Sequence, residues 1–454
     1  MMIKESFKLA AGLCLGLCLY SCQKSGTDSD TLSQSLTAAS KAQRLAEAGS
    51  NEDYVPGQLL VKFKDGTPAK NKTAIFTKLK GKQKGKLNSK AIPGFEDEGD
   101  IDLIETSSDV MAAIDNVKGA SEIEFIEPNY IYRTADVSND PYFTSAQWNM
   151  QAGGYGCQAS TAWGNHKTGS ANVYVGVVDQ GYMYEHEDLR NNAGVNPGEI
   201  PGNGIDDDKN GYIDDVYGWS FYDNAPTIYN GSDFHGTHVA GIIGAEGGNG
   251  IGVAGVVWNV KLLGAKFIEG TTGNAFAAAL AIDYFIALKT KQKLNIVALC
   301  CSWEGSASSK NLEAAIKRAN KAGILIIAAA GNSASNNDKT AVYPASYKGD
   351  NIISVASINR AGNLSSFSNY GANTVDIAAP GEVIISTYLN NGYAAMSGTS
   401  MAAPHVAGAA ALYASTHPGA SMKEIRTAIM NAAIPTPSLS GKCVTGGRLD
   451  ISRF

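Results

Sequence analysis

The run "NVYVGVVDQG" (residues 172–181) is apolar at nearly every position until it breaks at Asp179 and a turn glycine, Gly181. A strand with one wet face alternates polar and apolar residues, whereas an unbroken apolar run marks a strand buried on both faces. The same texture recurs in "NVKLLGAKF" (259–267), "LNIVALCC" (294–301), "ILIIAAAG" (324–331) and "NIISVAS" (351–357). Helical patterns at 275–290 and 310–322 lie between these runs. Together they predict an α/β unit over 140–454, a doubly wound, mostly parallel sheet covered by helices on both faces. In such sheets, sites gather at the carboxyl ends of the strands, where Asp179 stands.

The texture is different upstream. "YVPGQLLVKFK" (54–64) alternates as a strand, "SSDVMAAIDNVKG" (107–119) reads as an amphipathic helix with a Ser/Asp start, and "IEFIEPNYIYR" (123–133) reads as another strand. A small α+β domain over 54–135 accounts for them. Residues 62–90 carry ten lysines and one acidic residue, Asp65, and read as a solvated loop beside that domain. With a net charge of −6 over 454 residues, the chain shows no nucleic-acid footprint.

Residues 23–53 are Ser, Thr, Ala, Asp and Gln with almost no large apolar side chain, a disordered tether by composition. Before them, "MMIKESFKLAAGLCLGLCLYSC" (1–22) has a Lys-bearing start, a short apolar run and a small-residue site. That is an export-signal layout, too short for a spanning helix. It resembles a bacterial lipoprotein signal whose box is "LYSC", which implies lipid on Cys22 and attachment to a membrane through it. Cys157, Cys300, Cys301 and Cys443 then remain. Cys300 and Cys301 are strand neighbours pointing to opposite faces and are poor partners for each other. Cys157 and Cys443, near the two ends of the second domain, are candidates for a disulfide, and the sequence leaves that pairing open.

Two further stretches carry chemistry. "DFHGTHVAGIIG" (233–244) puts His235 at the opening of a helix, with Gly236 leaving room for close approach; His238, like His405, reads as structural. "MSGTSMAAPHVAG" (396–408) puts Ser400 at a helix N-terminus, where free N–H groups favour a negative charge. Taken alone, each of these has a bland reading as a cap, a turn or a core histidine. The order Asp, His, Ser along an α/β chain is that of subtilisin.

"VVDQG", "HGTHVAG", "AAAGN" (328–332) and "SGTSMAAPHVAG" resemble the four signature blocks of the subtilisin-like serine peptidases, the subtilases. The resemblance implies a serine endopeptidase acting on protein or peptide substrates through an acyl-enzyme. Asp179, His235 and Ser400 match the triad, and Asn332 matches the oxyanion-hole asparagine. Ser302, Trp303, Glu304 and Gly305 resemble the segment that forms one wall of the substrate cleft. Two residues depart from the family pattern. Gln180 stands where a Ser or Thr usually supports the aspartate, and Glu304 stands where glycine is usual. The second departure predicts that acidic substrate residues near the scissile bond are disfavoured.

"DDDKNGYIDD" (206–215) has the first nine positions of an EF-hand-like loop. Asp206, Asp208, Asn210 and Asp214 would offer side-chain oxygens, Tyr212 its carbonyl, and Gly211 the sharp turn. The bidentate Glu at position 12 is missing, Tyr217 standing there, and Asp215 is a possible substitute. A solvated acidic turn is the alternative. Subtilases often bind structural calcium, which favours a Ca2+ site. Nothing in the sequence requires an organic cofactor.

The strands of the small domain resemble the first and last strands of the inhibitory, ferredoxin-like propeptide of subtilases. That likeness implies a self-processing zymogen whose own propeptide is its inhibitor, cut within about 133–140, "RTADVSND". A lipid on Cys22 lies upstream of that cut. Maturation would then release the catalytic domain from its anchor at the cell envelope, the alternatives being that the propeptide holds it by non-covalent contact or that cleavage is incomplete. Two rivals remain from sequence alone: a maturation protease dedicated to one partner, and a non-catalytic peptide-binding surface lipoprotein.

Overall fold

The structure is a computed structural model that describes residues 54–87, 101–131 and 138–454. The expected signal segment with Cys22, the expected tether (23–53) and the core of the expected cleavage segment (132–137) lie outside the described residues. The chain divides into two compact units, 1–132 and 133–454.

The first unit is a four-stranded antiparallel sheet in the order Gly81–Leu87, Ile101–Thr106, Tyr54–Phe63, Ile123–Tyr130. Leu59, Val61 and Phe63 alternate inward from the Tyr54–Phe63 strand. They pack with Ile75 and Leu79 from the region of the Ala69–Lys78 helix, and with Ile104, Val110 and Ala113. The second helix is shorter than its sequence pattern suggests. It runs Val110–Asp115 and starts at Asp109, whose carboxylate accepts the Ala112 N–H at 2.9 Å. The lysine-rich stretch is not all loop: Lys82, Lys84 and Lys86 ride on the edge strand Gly81–Leu87. Charged residues on an edge strand discourage pairing with another chain. The solvated part of the expectation stands and the loop part is corrected.

The second unit holds a nine-stranded sheet. Its order is Ile434–Pro435, Gly447–Arg448, Ile377–Pro380, Ile352–Ile358, Leu325–Ala329, Ile296–Cys301, Gly169–Asp179, Asn259–Lys266, Gly218–Ser220. Every pairing is parallel except that of Ile434–Pro435 with Gly447–Arg448. After Gly169–Asp179 the chain lays down the edge strand Gly218–Ser220, returns to insert Asn259–Lys266 between the two, and then crosses to Ile296–Cys301 on the other side, so the order reverses at Gly169–Asp179. A reversal of this kind opens a crevice at the carboxyl ends, which is where Asp179, Ser302 and Asn332 follow their strands.

Val175, Val177 and Cys300 belong to the core shared with the helices Phe234–Gly244 and Thr399–Thr416. Val178, Leu299 and Cys301 face the opposite layer, with Ala275–Thr290 and Lys310–Lys321. Adjacent cysteines thus point to opposite faces, as strand geometry demands. The expected candidate disulfide is absent: Cys157 and Cys443 are both free and buried, in separate apolar clusters. Cys157 Sγ packs 3.9 Å from Met150 Sδ, while Cys443 Sγ faces the Thr445 hydroxyl and the Gly447 carbonyl, each at 3.7 Å.

Candidate active site

Asp179 ends its strand fully buried. Its Oδ1 accepts the Gln180 backbone N–H at 2.7 Å, and its two carboxylate oxygens lie 2.8 and 3.0 Å from His235 Nδ1. The helix Phe234–Gly244 can come this close because residue 236 is glycine: a Cβ there would overlap the Gly181 carbonyl oxygen. Burial alone lowers the basicity of the His235 imidazole, but the Asp179 charge and hydrogen bond outweigh it and the net shift is upward. Gln180 does not replace a missing hydroxyl on the aspartate. Its Oε1 accepts the His235 N–H at 3.0 Å and its Nε2 donates to the Gly270 carbonyl, tying the strand end to the His235 helix and to the hairpin at 268–273.

Ser400 is the second residue of Thr399–Thr416, a helix of small side chains buried along most of its length. Pro404 lies four residues on and has no N–H to give the Ser400 carbonyl. Ser302 Oγ fills that gap at 3.0 Å, and Ser400 Oγ in return donates to the Ser302 carbonyl at 2.8 Å. Asn332 follows the Leu325–Ala329 strand. Its Oδ1 accepts the Thr399 N–H at 2.8 Å and the Thr399 hydroxyl at 3.1 Å, which leaves Nδ2 for the cleft.

One cleft is lined by Asp179, His235, Ser400 and Asn332 together with Ser302, Trp303, Glu304 and Gly305. Trp303 is fixed by an N–H bond to the Val178 carbonyl at 2.9 Å and by an edge contact with Phe267. His238 and His405 are core residues. His238 Nε2 meets the carbonyls of Ile384 and Ala394, and His405 Nδ1 meets that of Met401. Burial pulls both imidazoles down to about 4.

Lys266 was not singled out by its sequence. It is fully buried beneath the Asp179–Gln180 turn, and its Nζ donates to the Gln180 carbonyl and to Asp233 Oδ1, both at 2.7 Å. It also reaches Glu269 Oε2 at 2.7 Å. A lysine at the end of an otherwise apolar strand is the signal that could have found it, since a buried ammonium demands partners.

The acidic loop departs from the EF-hand pattern. The carboxylate oxygens of Asp206 and Asp208 gather with Glu199, all within 4.8 Å of one another. Asn210 donates to Asp208 Oδ2 at 3.1 Å and to Asp215 Oδ2 at 3.0 Å. Asp214 is turned away, its two oxygens accepting the N–H groups of Asn203 and Gly204. Burial, with the Asp208 and Asp207 charges added, raises the Glu199 carboxyl although it accepts two backbone N–H groups.

Residues 170–449 match the subtilase family and residues 40–129 match the fervidolysin N-terminal prodomain. The chain is 33% identical over 388 residues to a thermophilic serine proteinase of Bacillus sp. (strain AK1), covering 84% of this chain and 82% of that one. It is 38% identical over 296 residues to thermitase of Thermoactinomyces vulgaris, covering 65% and 91%. A solved protease from Pseudoalteromonas arctica PAMC 21717 superposes with a TM-score of 0.56 at 27% identity, over 70% of this chain and 98% of that one. The chain therefore belongs to the subtilase family and is a subtilisin-like serine endopeptidase made with an N-terminal prodomain.

Proposed function

We propose that Ser400 is the nucleophile, His235 its general base, Asp179 the group that orients the imidazole, and Asn332 an oxyanion donor. The observation that carries this assignment is the pair of short contacts from His235 Nδ1 to Asp179, opening on the cleft that also holds Ser400 and Asn332. Nδ1–H held by a carboxylate leaves Nε2 as the proton acceptor. Ser400 Oγ must leave the Ser302 carbonyl and turn to that nitrogen as substrate binds, transferring its proton as it attacks the peptide carbonyl. The carbonyl oxygen becomes an oxyanion beside Asn332 Nδ2 and the backbone N–H groups at the start of the Ser400 helix. His235 then returns the proton to the leaving amine, and water repeats the sequence on the acyl-enzyme.

The prodomain serves as inhibitor until the chain cuts itself within about 133–140. The layout of residues 1–22 supports export and lipid on Cys22, so that self-cleavage frees the catalytic unit from its anchor. Calcium suits the acidic loop because the carboxylate oxygens of Glu199, Asp206 and Asp208 lie within 4.8 Å of one another and hard oxygen donors suit Ca2+. Bound there, the ion would brace the insertion between Asp179 and His235. Asp206, Asp208 and Glu199 are its ligands in this reading, and Asp214 acts as a turn cap.

Mass measurement and N-terminal sequencing of residues 23–454, beside the Ser400→Ala variant, test the assignment. A new N-terminus near 133–140 in the wild type alone supports it, as does fluorophosphonate labelling lost with Ser400→Ala. Equal processing of both proteins, or labelling that survives the substitution, refutes it.

A further inference from the structure

Glu304 stands in the cleft wall with an exposed carboxylate that, among the described residues, takes part in no hydrogen bond or ion pair. The wall itself is held in place: Gly305 and Tyr343 exchange backbone hydrogen bonds, both at 2.8 Å. The Glu304 side chain reaches across to the segment that follows the Leu325–Ala329 strand, since a Cβ on Gly331 would overlap Glu304 Oε2. Gly331 has φ +108°, in the region that favours glycine, so this position is closed to a side chain on both counts. The carboxylate therefore lies one residue from the amide assigned to the oxyanion.

The charges around this point are one-sided. The cleft lining includes two carboxylates, Asp179 and Glu304, and no lysine or arginine. Asp179 is engaged by His235, which leaves Glu304 as the unengaged charge. Beside it the lining is apolar or neutral, with Ala307, Leu312 and Tyr343. A substrate side chain lying here meets apolar surface beside a negative group. A long aliphatic stem with a cationic end satisfies both. An apolar side chain would shield the carboxylate from water without pairing it, and an acidic one would be repelled. An unneutralised carboxylate near Asn332 would also oppose the oxyanion as it forms, so a pairing cation helps the chemical step as well as binding.

We propose that Glu304 makes this peptidase select lysine or arginine on the acyl side of the bond it cuts. The inference rests on the assignment of Ser400 and Asn332 given above.

The test is kcat/KM for the processed enzyme on chromogenic peptides that differ only at that residue: Lys, Arg, Leu, Phe and Glu. Wild type is expected to favour Lys and Arg over Leu by about tenfold or more, the scale of one specificity contact. Glu304→Gln keeps the shape and removes the charge, and is expected to collapse that ratio towards unity. Added salt is expected to shrink the ratio in wild type and leave the variant's unchanged. Equal or better cleavage at Leu or Phe by wild type overturns the proposal, and so does a preference that survives in Glu304→Gln. Fluorophosphonate labelling of both proteins separates the two levels. Labelling without charge preference sinks only the role of Glu304, whereas no labelling and no cleavage sink the catalytic assignment beneath it.

Discussion

Lys266 Nζ lies 2.7 Å from Asp233 Oδ1, and neither side chain reaches solvent. Asp233 sits two residues before His235, while the same Nζ holds the carbonyl of Gln180, one residue after Asp179. One ammonium thus spans the two segments that carry the His–Asp pair. Lys266→Met leaves Asp233 buried and unpaired, a change that costs about 3–5 kcal/mol. Urea unfolding in the Ser400→Ala background is expected to show that loss, and adding Asp233→Asn is expected to recover part of it. A variant as stable as its parent contradicts this account.

The pH–rate profile follows from His235. Its imidazole is held above the ordinary value of 6.5, and in the proposed mechanism only the neutral ring accepts the Ser400 proton. Activity is therefore expected to rise with pH through a midpoint above 6.5 in kcat/KM. A midpoint at or below that value would mean that Asp179 does not dominate the environment of the ring.

Acid stability depends on two other histidines. His238 and His405 are depressed to about 4 when folded, against 6.5 unfolded, so the unfolded chain takes up protons first as pH falls. Their contribution is full above 6.5 and drains away between there and about 4. Asp188 and Asp215, raised by burial to about 7 and about 6, act in the opposite sense over the same window, so the comparison is between Ser400→Ala proteins with and without His405→Gln: the denaturant midpoint is expected to fall less on acidification when residue 405 is Gln.

The acidic loop gives a metal prediction. Millimolar calcium is expected to raise the melting temperature over that in EDTA, since an ion bound only by the folded state stabilises it. Glu199→Gln is expected to cut that gain, and Asp214→Asn to alter it less. The reverse ranking would restore the EF-hand reading of the loop.

The four described thiols offer a simple count. Burial pushes Cys157 and Cys300 up to about 12 and raises Cys301 and Cys443 as well. A thiol reagent is expected to find none of them in the native chain 23–454 and all four after unfolding. Two missing equivalents after unfolding would restore a disulfide.

What could be read in the sequence follows from how local each signal is. The apolar runs announce a buried parallel sheet because burial on both faces leaves no polar alternation. His235 and Ser400 stand out because their helix starts carry long, specific motifs. Lys266 stays hidden because its partners come from residues 180, 233 and 269, which only the fold assembles. Glu199 is missed for the same reason: it lies outside the run of alternating Asp and Asn and returns to it through a loop. The sequence leaves the Cys157–Cys443 pairing open because position along the chain says nothing of which apolar cluster a thiol joins. Gln180 was visible as a departure, but its actual contacts, with His235 N–H and the Gly270 carbonyl, depend on a hairpin with no sequence signature.

Pro404 gives the Ser302–Ser400 exchange a further meaning. By withholding one hydrogen from its own helix, the proline makes the proposed nucleophile lean on the wall of the cleft. In the proposed mechanism, the instrument that grips the peptide and the one that cuts it are thus joined at a shared pin. A change that shifts the grip will also misalign the blade, so altered selectivity engineered at 302–305 should carry its own penalty in turnover.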